Sequence, residues 1–307
     1  MPIHPQAQAV IDGNVWTTLD PDKVGIDELR RIMNSRLVDL AGVGPELHAV
    51  TEITIRSQGA KIPVRIYQPA VLHAPLPIFV YFHSGGYCVY DIDTADAQCR
   101  RIAKEANCIV ASVGYRLAPE AKFPAAVEDA WAALNWVASG PAGLNVDTGA
   151  IAVGGESCGG TLATVCALLA REAGGPGLRL VVLSCALLEM GTAEPGAAKT
   201  LASWMRDQYL GSASDAHDFR ASPLRHPDLA GLPPHLIVTG EFDGLRDQCA
   251  AYAARLRAAE TPAAFHEFPG MIHNFTGMAA AIDDTAPAIT LISGALSQSF
   301  RVGPVIA

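Results

Sequence analysis

The chain has 307 residues, half of them apolar, 28 glycines and a formal net charge of −9. A chain of this length buries a large core as one α/β domain or as one domain with a small cap, not as two full domains. The acidic balance, with no Lys/Arg cluster longer than Arg100-Arg101, argues against nucleic acid or an anionic membrane surface as a partner.

Residues 1–14 lack a basic start followed by an apolar stretch, so neither a signal nor a transit peptide is expected, and a cytoplasmic location is. From Pro5 to Leu47, apolar positions such as Val15, Leu29, Ile32 and Met33 mix with charges at helical spacing. That pattern predicts one or two amphipathic helices. Residues 52–56 and 62–67 alternate like strands around a turn containing Gly59, which predicts an antiparallel hairpin. From Pro77 the pattern changes to continuous apolar runs separated by helical segments. Strands are expected at 78–82, 109–113, 151–153, 180–184, 236–238 and 263–268, with helices at 94–106, 124–138, 157–172, 245–259 and 286–296. Runs apolar on every position belong to strands covered on both faces, hence to a mostly parallel sheet. The longest apolar run, 178–188, is broken by Ser184 and is too short to span a membrane.

The rhythm breaks between Leu187 and Leu232, a stretch too long for a simple connection and carrying its own helical pattern at 199–210. It reads as a cap insertion over the carboxyl edge of the sheet, packed with the N-terminal helices. The expected organisation is therefore 1–47 N-terminal cap helices, 48–187 core, 188–232 cap insertion and 233–307 core. The seven cysteines, Cys88, Cys99, Cys108, Cys158, Cys166, Cys185 and Cys249, show no C-x-x-C spacing. Their scatter argues for reduced, buried thiols, with neither disulfides nor zinc.

Gly155-Glu156-Ser157-Cys158-Gly159 directly follows strand 151–153 and fits a tight strand-to-helix turn that exposes a serine hydroxyl. Flanking glycines suit a turn in which side chains would strike the backbone. In a glycine-rich chain the pattern alone is weak, and its partners decide. A serine nucleophile needs a base, and the base needs an orienting acid. On such a sheet they follow in the order serine, acid, histidine. Thr239-Gly240-Glu241-Phe242-Asp243-Gly244-Leu245 follows one strand, and Pro269-Gly270-Met271-Ile272-His273-Asn274-Phe275 follows the next. Asp243 is the candidate acid, with Glu241 and Asp247 as rivals, and it also suits a plain helix cap. His273 is the candidate base, with His266, read as a partly buried strand residue, as rival.

His83-Ser84-Gly85-Gly86-Tyr87 closes strand 78–82. Acyl transfer builds charge on the carbonyl oxygen, and glycines let backbone N–H groups face it. Gly85, Gly86 and the amide of Cys158 are the candidate oxyanion donors, against the alternative of an ordinary glycine turn. His83 reads as a brace for the loop. Tyr87, Trp204, Met205, Tyr209 and Leu210 either wall a pocket between sheet and cap or simply hold the cap down.

With Tyr115-Arg116-Leu117-Ala118-Pro119-Glu120 and Phe123-Pro124-Ala125-Ala126-Val127-Glu128-Asp129-Ala130 added, the chain from Val64 to Phe275 resembles the hormone-sensitive-lipase-like branch of the α/β-hydrolases. The resemblance implies an α/β-hydrolase fold, a mostly parallel eight-stranded sheet flanked by helices with a helical cap. It also implies a carboxylesterase with Ser157, Asp243 and His273 as triad and Gly85, Gly86 and Cys158 as oxyanion donors. Ser84 stands where the family commonly has glycine, Glu156 where Asp is commoner, and Cys158 where Ala is. Asn274 replaces the glycine usual after the histidine, and Cys185-Ala186 replaces a frequent Tyr-Pro. The expected partner is a small-molecule ester, with no cofactor or metal, and the family analogy points to dimers through an edge strand. An amidase, aryl acylamidase or thioesterase would use the same triad. A noncatalytic small-molecule receptor of this fold would lack the histidine, which is present here.

Overall fold

The computed structural model describes residues 2–13, 19–71, 74–191 and 200–301. Val15 and Lys199, which enter the sequence expectations, lie outside them. Eight strands form one sheet in the order β1-β2-β4-β3-β5-β6-β7-β8. They are β1 (Ala49–Ser57), β2 (Ala60–Gln68), β3 (Leu76–Phe82), β4 (Ile109–Val113), β5 (Val146–Glu156), β6 (Leu178–Ser184), β7 (His235–Phe242) and β8 (Ala263–Ile272). β2 runs antiparallel to both β1 and β4, and every other pairing is parallel. The continuous apolar runs behave as expected: every residue of β4 is buried, because helices cover both faces.

One face carries α3 (Ile26–Ala41), α5 (Ala125–Ala138), α6 (Cys158–Ala173), α7 (Leu201–Tyr209) and α8 (Arg246–Ala258), whose apolar side chains join Ile78, Val80, Phe82 and Val153 in one cluster. The other carries α1 (Pro5–Asp12), α4 (Asp96–Ala106) and α9 (Thr285–Arg301), packed with Phe79, Tyr81, Val110 and Val182. A short helix, α2 (Pro21–Val24), precedes α3. The N-terminal stretch thus forms three helices where its pattern predicts one or two. They divide between the faces. Ala7 and Val10 of α1 pack with the α9 side, whereas Leu29, Met33 and Leu37 of α3 join the α7 side.

Two close approaches position the carboxyl end of the sheet. A Cβ on Gly159 would sit 2.0 Å from Phe82 O, so α6 can touch the end of β3 only with glycine there. β7 and β8 run further than their apolar patterns suggest, to Phe242 and Ile272. Ladder pairing there, including Phe242 with Ile272, extends both strands past the residues whose burial marks them in sequence. As a result Asp243 and His273 emerge at the ends of adjacent strands.

Candidate active site

Ser157 is the N-cap of α6, with φ 55° and ψ −120°, a conformation that non-glycine residues rarely hold and that the surroundings must enforce. Its amide donates to Ser184 O at 2.9 Å and its carbonyl accepts from Gly160 and Leu187, so β6 and α6 clamp the turn from both sides. A Cβ on Gly155 would lie 2.3 Å from Gly159 C, which explains the glycines on either side of the serine.

Ser157 Oγ lies 3.1 Å from His273 Nε2, and His273 Nδ1 lies 2.9 Å from Asp243 Oδ1. The Asp243 side chain is buried at 1% exposure while that of His273 is 38% exposed; the acid is shielded and the imidazole reaches the opening. Burial of the ring pulls the His273 pKa down. The charge and hydrogen bond of Asp243, with a further contribution from Glu156, outweigh that pull and hold it above the ordinary histidine value. Burial likewise pushes Asp243 upward, but His273 and the Leu245 amide stabilise its charged form and leave it below the ordinary value. Asp243 Oδ1 also accepts from Leu245 N at 2.8 Å, so the helix-capping role and the contact with histidine meet on one oxygen.

The rivals stand elsewhere. Glu241 lies within β7 and its Oε2 accepts from Gly270 N at 2.8 Å, fastening the bend in β8. Asp247 pairs with Arg246 and is exposed. His266 is exposed on β8 rather than partly buried.

The loop after β3 turns at Gly85, φ 114°, and Gly86, φ 58°. A Cβ on Gly85 would meet Val89 O at 2.0 Å. His83 is buried and its Nδ1 lies 2.7 Å from Ser84 O; burial lowers its pKa to about 4, so the ring is neutral and braces the loop. Cys158 opens α6, where the leading N–H groups lack intrahelical acceptors. Its own thiol is buried and pushed upward by burial, which keeps it protonated.

Tyr87, Trp204, Met205, Tyr209 and Leu210 are all buried. Tyr87 and Tyr209 stack with ring centroids 3.7 Å apart, Met205 Sδ would lie 2.5 Å from a Cβ on Gly86, and Trp204 Nε1 donates to Asp22 Oδ1 at 2.9 Å. These side chains fasten α7 to the glycine loop and to α2. Tyr209, with no exposed surface, is an anchor rather than an open wall.

Sequence reasoning missed the polar layer beneath the site. Glu156 Oε1 accepts from Thr276 Oγ1 at 2.6 Å, Thr276 Oγ1 lies 2.8 Å from Ser184 Oγ, and Gln98 joins it at 3.3 Å. Burial raises the Glu156 pKa to about 7, against the pull of Thr276 and His273. Tyr115 braces the same loop: its hydroxyl donates to His83 O at 2.8 Å and its ring stacks on His83 at 4.2 Å. Only the departure of Glu156 and the tyrosine of the Tyr-Arg-Leu-Ala-Pro-Glu run signalled these roles in sequence.

Among the described residues, the grouping with metal-compatible spacing is Cys185, Asp243 and His273, whose ligand atoms lie within 4.8 Å of one another. The carboxylate and imidazole are already engaged with each other, and burial raises the Cys185 thiol well above its ordinary value, which disfavours a thiolate ligand. A groove of about 1110 Å³, lined by Gly149, Arg171, Leu178 and His235, opens at the opposite, amino end of the strands. In open α/β sheets ligands bind at the carboxyl ends, where Ser157, Asp243 and His273 converge.

The α/β hydrolase fold family matches residues 79–277. Esterase LipI of Mycobacterium tuberculosis is 39% identical over 274 residues, 83% of this chain and 85% of that protein. Ethyl acetate hydrolase of Pseudomonas putida is 32% identical, over 89% of this chain and 90% of its own length. Among solved structures, a hyperthermophilic esterase from the archaeon Pyrobaculum calidifontis superposes with a TM-score of 0.88 at 34% identity, covering 97% of this chain and 99% of its own. No helix among the described residues is long and apolar enough to cross a membrane.

Proposed function

The chain belongs to the α/β hydrolase fold family and is a carboxylic ester hydrolase, and from that premise we propose that it cleaves short-chain acyl esters through a serine acyl-enzyme. Ser157 is the nucleophile, His273 the general base and acid, and Asp243 the orienting carboxylate. The observation that carries this reading is the continuous link from Ser157 Oγ through His273 to Asp243, at 3.1 and 2.9 Å.

In the first half-reaction Ser157 Oγ attacks the ester carbonyl carbon as its proton passes to His273 Nε2. The developing oxyanion is received by the amides of Gly85, Gly86 and Cys158. His273 then gives its proton to the leaving alcohol, and the C–O bond breaks. Water repeats the sequence on the acyl-enzyme: His273 takes its proton, the hydroxyl adds to the carbonyl carbon, and Ser157 leaves with the proton returned.

The 188–232 insertion acts as the cap together with α2, a pairing supported by the hydrogen bond from Trp204 to Asp22. Its polar make-up, with Glu189, Arg206, Asp207, Asp215 and Asp218, supports small soluble esters over an oil–water interface, as does the similarity to the ethyl acetate hydrolase of Pseudomonas putida. Ser157→Ala is expected to leave at most about 10³ to 10⁴ of rate over uncatalysed hydrolysis, with the fold intact by circular dichroism. An organophosphate should label Ser157. Near-wild-type turnover in the variant, or a label on another residue, would overturn the assignment.

A further inference from the structure

Two side chains outside the triad meet between the two loops that the triad chemistry needs. Ser84 directly precedes Gly85 and Gly86, and Asn274 directly follows His273. Asn274 Nδ2 donates to Ser84 Oγ at 3.2 Å, and both residues are buried, at 7% and 4% exposure. Asn274 sits in the left-handed region, φ 61° and ψ 16°, where asparagine is one of the few residues with a side chain that is tolerated. The amide is therefore added to that turn at little backbone cost. Its Oδ1 is buried without a hydrogen-bond partner among the described residues. Ser84 is thus the side-chain anchor of the amide. The backbone of Ser84 is held independently, its carbonyl lying 2.7 Å from His83 Nδ1 and accepting from Tyr115 at 3.4 Å.

We propose that Ser84 and Asn274 form a positioning pair, a side-chain strap that sets the distance between the oxyanion amides and the His273 imidazole. Both groups must converge on one carbonyl, and such constellations tolerate misplacement of only about half an ångström. Both positions are ones where the family resembled by the sequence commonly carries glycine, and two glycines would make no such link. The two departures compensate each other. Without Ser84 the buried Asn274 amide loses its donor contact and keeps its desolvation cost; without Asn274 the buried Ser84 hydroxyl is stranded. The proposal rests on the triad reading of Ser157, His273 and Asp243.

The test is a double-mutant cycle of Ser84→Gly, Asn274→Gly and the pair, with turnover expressed per site labelled by an organophosphate. Each single change is expected to lower kcat about 5- to 20-fold with KM within about twofold. The double is expected to lose at least about fivefold less than the product of the singles, as residues in direct contact do. A role confined to stability would reduce the number of labelled sites and leave kcat per site alone. Ser84→Ala, which removes the hydroxyl without adding backbone freedom, should reproduce the effect of Ser84→Gly and closes the same cycle if the glycine variant fails to fold. Multiplicative singles, or singles with unchanged kcat per labelled site, overturn the strap while leaving the triad standing. Failure of the organophosphate to label Ser157 in the unmodified protein overturns the triad reading itself.

Discussion

His273 is pulled two ways, and the balance is measurable. Burial favours the neutral ring, Asp243 favours the imidazolium, and Asp243 prevails. A general base acts when neutral, so kcat/KM should rise with pH along a limb centred above the ordinary histidine value of about 6.5. Asp243→Asn removes the main charge that raises His273 and leaves burial opposed only by the smaller contribution of Glu156. The limb should then move to lower pH, while kcat falls by about 10⁴ because the amide favours the wrong tautomer. A limb that stayed in place in the variant would mean that Asp243 does not face the base in solution. Glu156 offers a second test by its effect on stability. Its native carboxyl holds its proton to about 7, whereas an ordinary glutamate releases it near 4.5. Between those values the native state binds more protons than the unfolded one, so stability falls as pH rises through that window and the loss is complete above it. Glu156→Gln, which can still accept from Thr276, should flatten the decline of Tm between pH 5 and 7.5. An unchanged slope would show that Glu156 ionises normally.

At the scale of elements, α7 is fastened by a few large contacts rather than by many small ones. Tyr209 stacks on Tyr87 and meets Phe123 edge-on, while the Phe123 amide donates to Tyr209 O at 2.8 Å. Tyr209→Ala is expected to cost about 3 to 5 kcal/mol, read by urea unfolding, and to loosen the glycine loop against which α7 packs. A cost below about 1 kcal/mol would mean that the anchor lies elsewhere. Element type was largely legible in the sequence: 109–113 is a strand end to end, and the helix expected at 124–138 is α5. The ends of β7 and β8 were not. Glu241, Phe242 and Pro269 lack the apolar pattern of a buried strand, and it is pairing between neighbours, with Glu241 bonded to Gly270, that carries the ladder through them.

At the scale of the whole molecule, few large hydrophobic side chains are exposed among the described residues. They are Val38, Val43, Val71 and Phe242, which form no broad lid of the kind an interfacial enzyme exposes. Acyl preference should therefore peak at about two to six carbons, each fitted methylene adding roughly 0.8 kcal/mol, and fall beyond that as overpacking sets in. Initial rates on p-nitrophenyl esters from acetate to palmitate measure this directly. Best turnover at twelve carbons or more, or a jump in rate past the solubility limit, would place the protein among the lipases.

The sequence by itself determined the fold class and the order of the chemistry, because both depend on local pattern. Unbroken apolar runs specify covered parallel strands, and Gly155-Glu156-Ser157-Cys158-Gly159 needs only its neighbours to make a tight turn. Sequence order and family resemblance already favoured Asp243 over Glu241 and Asp247, and His273 over His266; the hydrogen-bonding distances among Ser157, His273 and Asp243 belong to the tertiary structure. Residues separated by 30 and 116 positions become partners only when strand register and length bring their ends together. The same holds for Ser84 and Asn274: each is a minor departure in its own loop, and only the tertiary fold, which brings the loops after β3 and β8 together at the carboxyl end of the sheet, lets the hydroxyl accept from the amide.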